Sequence, residues 1–147
     1  MYGGLVHAHS GLRWVVLILL LAAIFNAFRK WRGKREHTES DRKLTLYALI
    51  ATHIQLVLGL VLYFFVSPKV LFAAETMKDK IYRFFTVEHI FIMLIAITLI
   101  TMGYSKAKRA TTAIRKFKIT FWYYLIALVL ILASIPWPFM GYGTRWF

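Results

Sequence analysis

The sequence predicts an all-α integral membrane protein, a single domain of four transmembrane helices packed as one bundle. Hydrophobic residues make up 60% of the 147 residues and the mean hydropathy is +0.62. Soluble globular domains are about 45–50% apolar. The apolar residues gather in four runs, each near the ~20 residues that a helix needs to cross a bilayer. Most basic residues lie between these runs, which is typical of membrane proteins.

The four apolar runs cover residues 5–28, 44–66, 84–104 and 119–135, and each predicts one transmembrane helix. The first run contains Arg13 and has neither a charged segment before it nor a small-residue cleavage pattern after it. We therefore expect it to be retained rather than removed as a signal peptide. Aromatic residues crowd the segment after the fourth run, as in an interfacial belt: Trp137, Tyr142, Trp146 and Phe147.

The basic residues predict the orientation. Residues 29–43 contain seven Lys and Arg and residues 105–118 contain six, whereas the segment before the first run contains none. Short basic loops stay on the cytoplasmic side. Both loops are thus expected in the cytoplasm and both termini on the outer, periplasmic side of a bacterial inner membrane. The net charge of +13 follows from this topology, and neither loop contains a nucleic-acid recognition motif.

Histidines within the runs are the main candidate site residues, because ionisable groups inside a bilayer are costly. His9 and His89 are both expected about 6–8 Å below the outer boundary, and His53 deeper. His9 shares a helical stripe with Arg13 and several small residues, and His89 shares one with Ala96 and Gly103. Both are expected to face the bundle interior. His53 lies about 120° from the polar stripe of its helix.

Two inward imidazoles at one depth on different helices suit the axial positions of a b-type haem. His9 and His89 would be the iron ligands, and Arg13 would pair with a haem propionate or with Glu88. If the third helix begins nearer Ile81, His53 and His89 become the rival ligand pair. The absence of cysteine excludes covalent haem attachment, iron–sulfur clusters and disulfides.

Three other interpretations of these residues stay open. In the first interpretation, the histidines are polar groups that form hydrogen bonds near the membrane interface. In the second, His7 and His9 bind copper or zinc together with His89, although His7 lies almost opposite His9 on the helix. In the third, a quinone site uses His53, Gln55 and Tyr63.

Several segments together resemble small four-span bacterial membrane proteins of a cytochrome b-like family. They are residues 7–14 (HAHSGLRW), 52–55 (THIQ) with Gly59, 87–89 (VEH), 103–109 (GYSKAKR) and 135–139 (IPWPF). More distantly, the chain resembles one half of haem A synthase or a cytochrome b561-like core. The resemblance implies b-haem binding at His9, His53 and His89. The chain lacks paired histidines at two depths, which argues against a two-haem wire. It has half the size of haem A synthase, so an oxygenase activity would need a dimer or a different partner.

We therefore expect a haem b protein that transfers electrons, or a haem-bearing subunit of a respiratory or haem-handling complex, rather than an enzyme. Its partners would be the lipid bilayer, other membrane subunits or further copies of the chain, and a quinone, but no nucleic acid. The alternative is a cofactor-free structural or assembly subunit of a larger membrane complex.

Overall fold

The computed structural model describes residues 1–146, which form helices and no strand. Within this range four helices are long and apolar enough to cross a membrane: α1 (Tyr2–Arg32), α2 (Glu39–Val66), α3 (Lys80–Arg109) and α4 (Ala113–Ser134). Two short 3₁₀ turns, Ala74–Met77 and Pro138–Met140, lie in the remaining segments. The predicted all-helical class with four apolar spans is confirmed.

The helices extend beyond the apolar runs because polar caps determine where they begin. Asp79 starts α3 by accepting hydrogen bonds from the backbone N–H groups of Ile81 and Tyr82, at 2.8 and 3.0 Å. Thr112 starts α4 by accepting a bond from the N–H of Arg115 at 3.3 Å. Such caps satisfy N–H groups that lack partners in the first helical turn. The first and third apolar runs continue as helix into basic residues, which are good helix formers.

The helices pack antiparallel in a ring in which each contacts its neighbours, with the α2–α3 pair packed least extensively. We call the end where α1 and α3 finish the basic end, and the opposite one the tail end. On the stripe predicted to face inward on α1, His9 is half-buried and the five members after it are buried: Arg13, Val16, Leu20, Ala23 and Ala27. On α3, a Cβ atom at Gly103 would lie 2.5 Å from the Tyr123 Cβ of α4, so glycine permits this close approach.

Two π-helical turns interrupt the α-helical pattern, and both lie at the tail end. They are Leu62–Val66 at the end of α2 and Phe84–Glu88 near the start of α3. The Tyr63 hydroxyl donates a 2.8 Å hydrogen bond to the backbone carbonyl of Thr86 and so joins the two turns. Single π turns inside α-helices are uncommon and occur frequently at functional sites. The second of them leads directly into His89.

A buried carboxylate joins α1 to α2 at the basic end. Asp41 is 4% exposed and accepts 2.8 Å hydrogen bonds from the side chains of Asn26 and Lys30 and from the backbone N–H of Thr38. Four polar groups thereby satisfy one another and hold the α1–α2 turn in place. In the adjoining loop, partial burial against Phe117 lowers the pKa of His37.

Candidate functional site

The His89 ring is oriented by a backbone carbonyl that has no hydrogen-bond donor within its own helix. Its Nδ1 atom lies 2.8 Å from the backbone oxygen of Ser134, the last residue of α4. In a continuing helix that oxygen would accept from the N–H four residues later, but position 138 is proline and has no N–H. Because a carbonyl only accepts, Nδ1 carries the proton, and the neutral form of this ring has its lone pair on Nε2. A backbone carbonyl fixing Nδ1–H is the usual support of a metal-ligating histidine.

His9 lies on α1, where it contacts α2 and is half-buried. Its ring fits against Gly59, because a Cβ atom there would lie only 3.1 Å from the His9 Cε1 atom. The Gln55 side-chain amide donates a 2.8 Å hydrogen bond to the His9 backbone oxygen. Arg13, one turn from His9, and His89 both contact the chain around the end of α4, through Trp137 and Ser134. The structure therefore brings the two predicted histidines and Arg13 into one region of the bundle.

Unsatisfied polar atoms concentrate in this region. Four buried side-chain atoms have no hydrogen-bond partner among the described residues: His9 Nδ1, Arg13 Nε, Gln55 Oε1 and Ser134 Oγ. Gln55 is bonded to His9, Ser134 is bonded to His89, and Arg13 lies one turn from His9. A buried polar atom without a partner costs about 1–3 kcal/mol. Such a group calls for bound water or a ligand to complete its hydrogen bonds.

Arg13 lies beneath the segment that follows α4. Its guanidinium carbon is 5.4 Å from the Trp14 ring centre and 5.7 Å from that of Trp137, and Nη2 donates to the Trp146 backbone oxygen at 2.5 Å. Glu88, one of the two partners predicted for Arg13, instead accepts a 2.8 Å bond from Arg83. Arg13 is thus held by aromatic rings and a carbonyl, while its buried Nε has no partner among the described residues.

We call residues 135–146 the tail cap, because this segment folds back across the tail end. Lys69 donates to the carbonyls of Tyr142 and Gly143, at 2.8 and 2.9 Å, and Lys80 donates to that of Met140 at 3.0 Å. Burial lowers the pKa of Lys69. The rings of Tyr142 and Phe84 stack at 4.1 Å. The cap thus packs on Phe84, which contacts His89, and on Trp14, which follows Arg13. Phe147, the last member of the predicted aromatic belt, lies outside the described residues.

The other predicted site residues do not join this group. His53 is exposed, with Nδ1 2.8 Å from the Leu49 carbonyl and Nε2 3.5 Å from the Thr101 hydroxyl. Thr101 follows His89 by twelve residues, or about 18 Å along α3. Although α3 does begin near Ile81, this separation places His53 at a different level from His89.

The quinone and metal alternatives receive little support from the geometry. Gln55 bonds to His9 and Tyr63 bonds to Thr86, so these two side chains do not converge with His53. His7 is exposed. No group of three or more His, Cys, Asp or Glu residues suited to a metal ion occurs within residues 1–146.

Sequence reasoning did not identify Ser134 as part of the site. The signal was available in the segment 134–138, since two prolines after a helix leave carbonyls without their usual donors. The same effect frees the Leu132 carbonyl, which accepts a 3.0 Å bond from Trp137 Nε1. What the sequence does not reveal is which distant side chain uses each carbonyl.

No family model, curated protein or solved structure matches this chain.

Proposed function

We propose that this chain is a b-type haem-binding membrane protein that carries electrons, with His9 and His89 as the iron ligands. The observation that carries the proposal is the hydrogen bond from His89 Nδ1 to the Ser134 carbonyl, which leaves Nε2 as the free lone pair. His9 supplies a second imidazole from another helix, and the surrounding buried polar atoms lack partners within the described chain. Neutral imidazoles are common haem ligands, so this donor set fits the group.

The remaining residues have distinct roles in this proposal. Arg13 Nε, a buried donor without a partner among the described residues, would bind a haem propionate. The tail cap would exclude water from the site, and exclusion of water is one way in which a protein sets a redox potential. A haem with two histidine ligands supplies one-electron redox chemistry and has no open iron position, which favours electron transfer over oxygen chemistry. His53 lies about 18 Å along α3 from the level of His89 and has no role in this proposal.

The orientation of the chain in the membrane is part of the same proposal. The basic loops 29–43 and 105–118 would lie in the cytoplasm and both termini would lie on the periplasmic side of a bacterial inner membrane. His9, His89 and the tail cap would then be close to the outer face. An electron donor or acceptor on that side could approach the site across the tail cap.

The deciding experiment is a reduced-minus-oxidised visible spectrum of the purified protein, together with a pyridine haemochrome assay of haem per chain. We expect narrow low-spin bands and a single haem per chain. A preparation that stays colourless after haem supplementation would overturn the proposal. High-spin bands would overturn the assignment of two histidine ligands.

A substitution at Gly59 tests the position of His9 without altering a ligand. Gly59→Ala places a methyl group 3.1 Å from His9 Cε1 and should shift the ring, weakening haem binding by about fivefold to tenfold. Gly11→Ala is the matched control, because its added methyl meets nothing within 4 Å and it gains the same helix propensity. Haem titration of both variants measures the difference. Equal affinities would argue against His9 as a ligand.

A cofactor-free subunit of a larger complex is the second candidate, and one observation favours it. Among the four long helices α2 is the least buried within the described structure, and it exposes His53 in the middle of its apolar segment. A polar side chain facing lipid is costly, so another membrane subunit or a second copy would cover it. Colourless protein together with a membrane partner that is lost in His53→Leu would favour this candidate.

A further inference from the structure

A basic cleft at the opposite end of the bundle has no part in the proposed haem site. It lies between the end of α1 and the loop to α2 and has a volume of about 690 Å³. Its lining contains three basic residues, one acidic residue and two uncharged ones: Arg29, Lys30, Arg35, Glu36, Gly33 and Thr38. The cleft is large enough to admit a phosphate-bearing headgroup rather than only an ion.

The turn after α1 gives the cleft its shape. The backbone N–H groups of Gly33 and Arg35 donate hydrogen bonds to the carbonyls of Arg29 and Lys30, at 2.9 and 3.0 Å. Lys34 adopts the left-handed conformation with a φ of 49°. A Cβ atom at Gly33 would lie 3.2 Å from the Arg29 carbonyl oxygen and 3.5 Å from Arg35 Cγ. The missing side chain therefore lets Arg35 fold back towards Arg29.

Some of the charged side chains that line the cleft are paired within the protein and others are not. Lys30 is paired with Asp41 at 2.8 Å. Neither the Arg29 nor the Arg35 side chain makes a hydrogen bond or ion pair in the structure of residues 1–146, and the Glu36 carboxylate makes no ion pair there. Two guanidinium groups are thus available for a ligand. Arginine binds phosphate through two parallel N–H bonds, a geometry that lysine lacks.

The neighbouring aromatic residues place the cleft at the membrane interface. Trp31 lies between Arg29 and Gly33 in sequence, packs on Phe28 and Phe121, and has the Lys118 ammonium 5.2 Å from its ring centre. Tryptophan rings concentrate at headgroup depth. Basic pockets beside transmembrane helices at this depth bind the headgroups of anionic lipids.

We propose that this cleft binds the phosphate of an anionic phospholipid headgroup through Arg29 and Arg35. The proposal is independent of haem binding, because its residues belong to the basic end of the bundle. A bound lipid would link α1 to the loop that follows it. Free inorganic phosphate shares the recognised chemistry and is the other source to be tested.

The test is native mass spectrometry of the full chain with phosphatidylglycerol, compared with phosphatidylcholine as the zwitterionic lipid. The variant Arg29→Gln/Arg35→Gln should bind phosphatidylglycerol at least about tenfold more weakly than the original chain. Arg32→Gln/Lys34→Gln is the matched control, because it removes two charges from the same turn at residues outside the lining. We expect the control to stay within about twofold of the original affinity.

Inorganic phosphate added at millimolar concentration identifies the source of the ligand. Displacement of the lipid assigns the cleft to phosphate itself, and no displacement assigns it to the lipid headgroup. Equal losses in the two double variants would overturn the proposal, because they indicate diffuse attraction to the loop. Equal binding of the two lipids would overturn it as well. Should the first double variant fail to fold by circular dichroism, Arg35→Lys serves instead, and an unchanged affinity there contradicts bidentate recognition.

Discussion

His89→Asn is expected to leave the bundle folded and to abolish haem binding. The asparagine Nδ2 occupies nearly the place of the histidine Nδ1, so it can donate to the same Ser134 carbonyl that His89 contacts at 2.8 Å. The variant has nothing in place of Nε2, the atom with the free lone pair. It therefore removes the proposed ligand while preserving the hydrogen bond that orients residue 89.

The measurement is the haem content per chain together with the Soret band, after purification with added haem. Helical circular dichroism and a single peak in size exclusion establish that the fold is retained. His53→Asn is the matched control, because His53 is exposed and lies about 18 Å along the bundle from the level of His89. Loss of haem in the control but not in His89→Asn would reverse the ligand assignment.

Asp41→Ala is expected to reduce the free energy of unfolding by about 3 kcal/mol. The substitution leaves the Lys30 ammonium and the Asn26 amide without the carboxylate that both contact at 2.8 Å, and it removes the cap of α2. Removing one partner of a buried ion pair is costly, because the charge that remains has lost its compensation.

Unfolding in mixed micelles, followed by circular dichroism, measures this loss. Glu39→Ala is the control, because its carboxylate pairs with Arg42 on the surface and its side chain is 61% exposed. We expect the control to lose less than about 1 kcal/mol. Similar losses in both variants would show that Asp41 acts as an ordinary surface charge.

The coarse fold was predictable because hydrophobic length and period are local properties. Four runs near 20 residues predict four spans, and the stripe through Arg13, Leu20 and Ala27 predicts the buried face of α1. The inward faces of His9 and His89 follow from the same period. Helix ends were less predictable from hydropathy, since α2 begins in a polar segment under the control of Thr38 and Asp41.

The details of the site depend on contacts between residues distant in the chain. No sequence feature of the segment 84–88 predicts a π turn. The π and α hydrogen-bond patterns are close in energy, and packing against other helices determines which one forms. Pro138 indicates that the Ser134 carbonyl is free but does not indicate that His89 uses it. Likewise, no local pattern predicts that Lys69 and Lys80 hold the tail cap.

The tail cap has a consequence for biogenesis. Its anchors Arg13, Lys69 and Lys80 lie on α1, in the connection between α2 and α3, and at the start of α3, whereas residues 135–146 leave the ribosome after all four helices. During insertion the tail end therefore stays open until synthesis of the cap. A haem bound as we propose would enter in this interval, and residues 135–146 would then retain it. The order of translation itself would determine when the tail end closes.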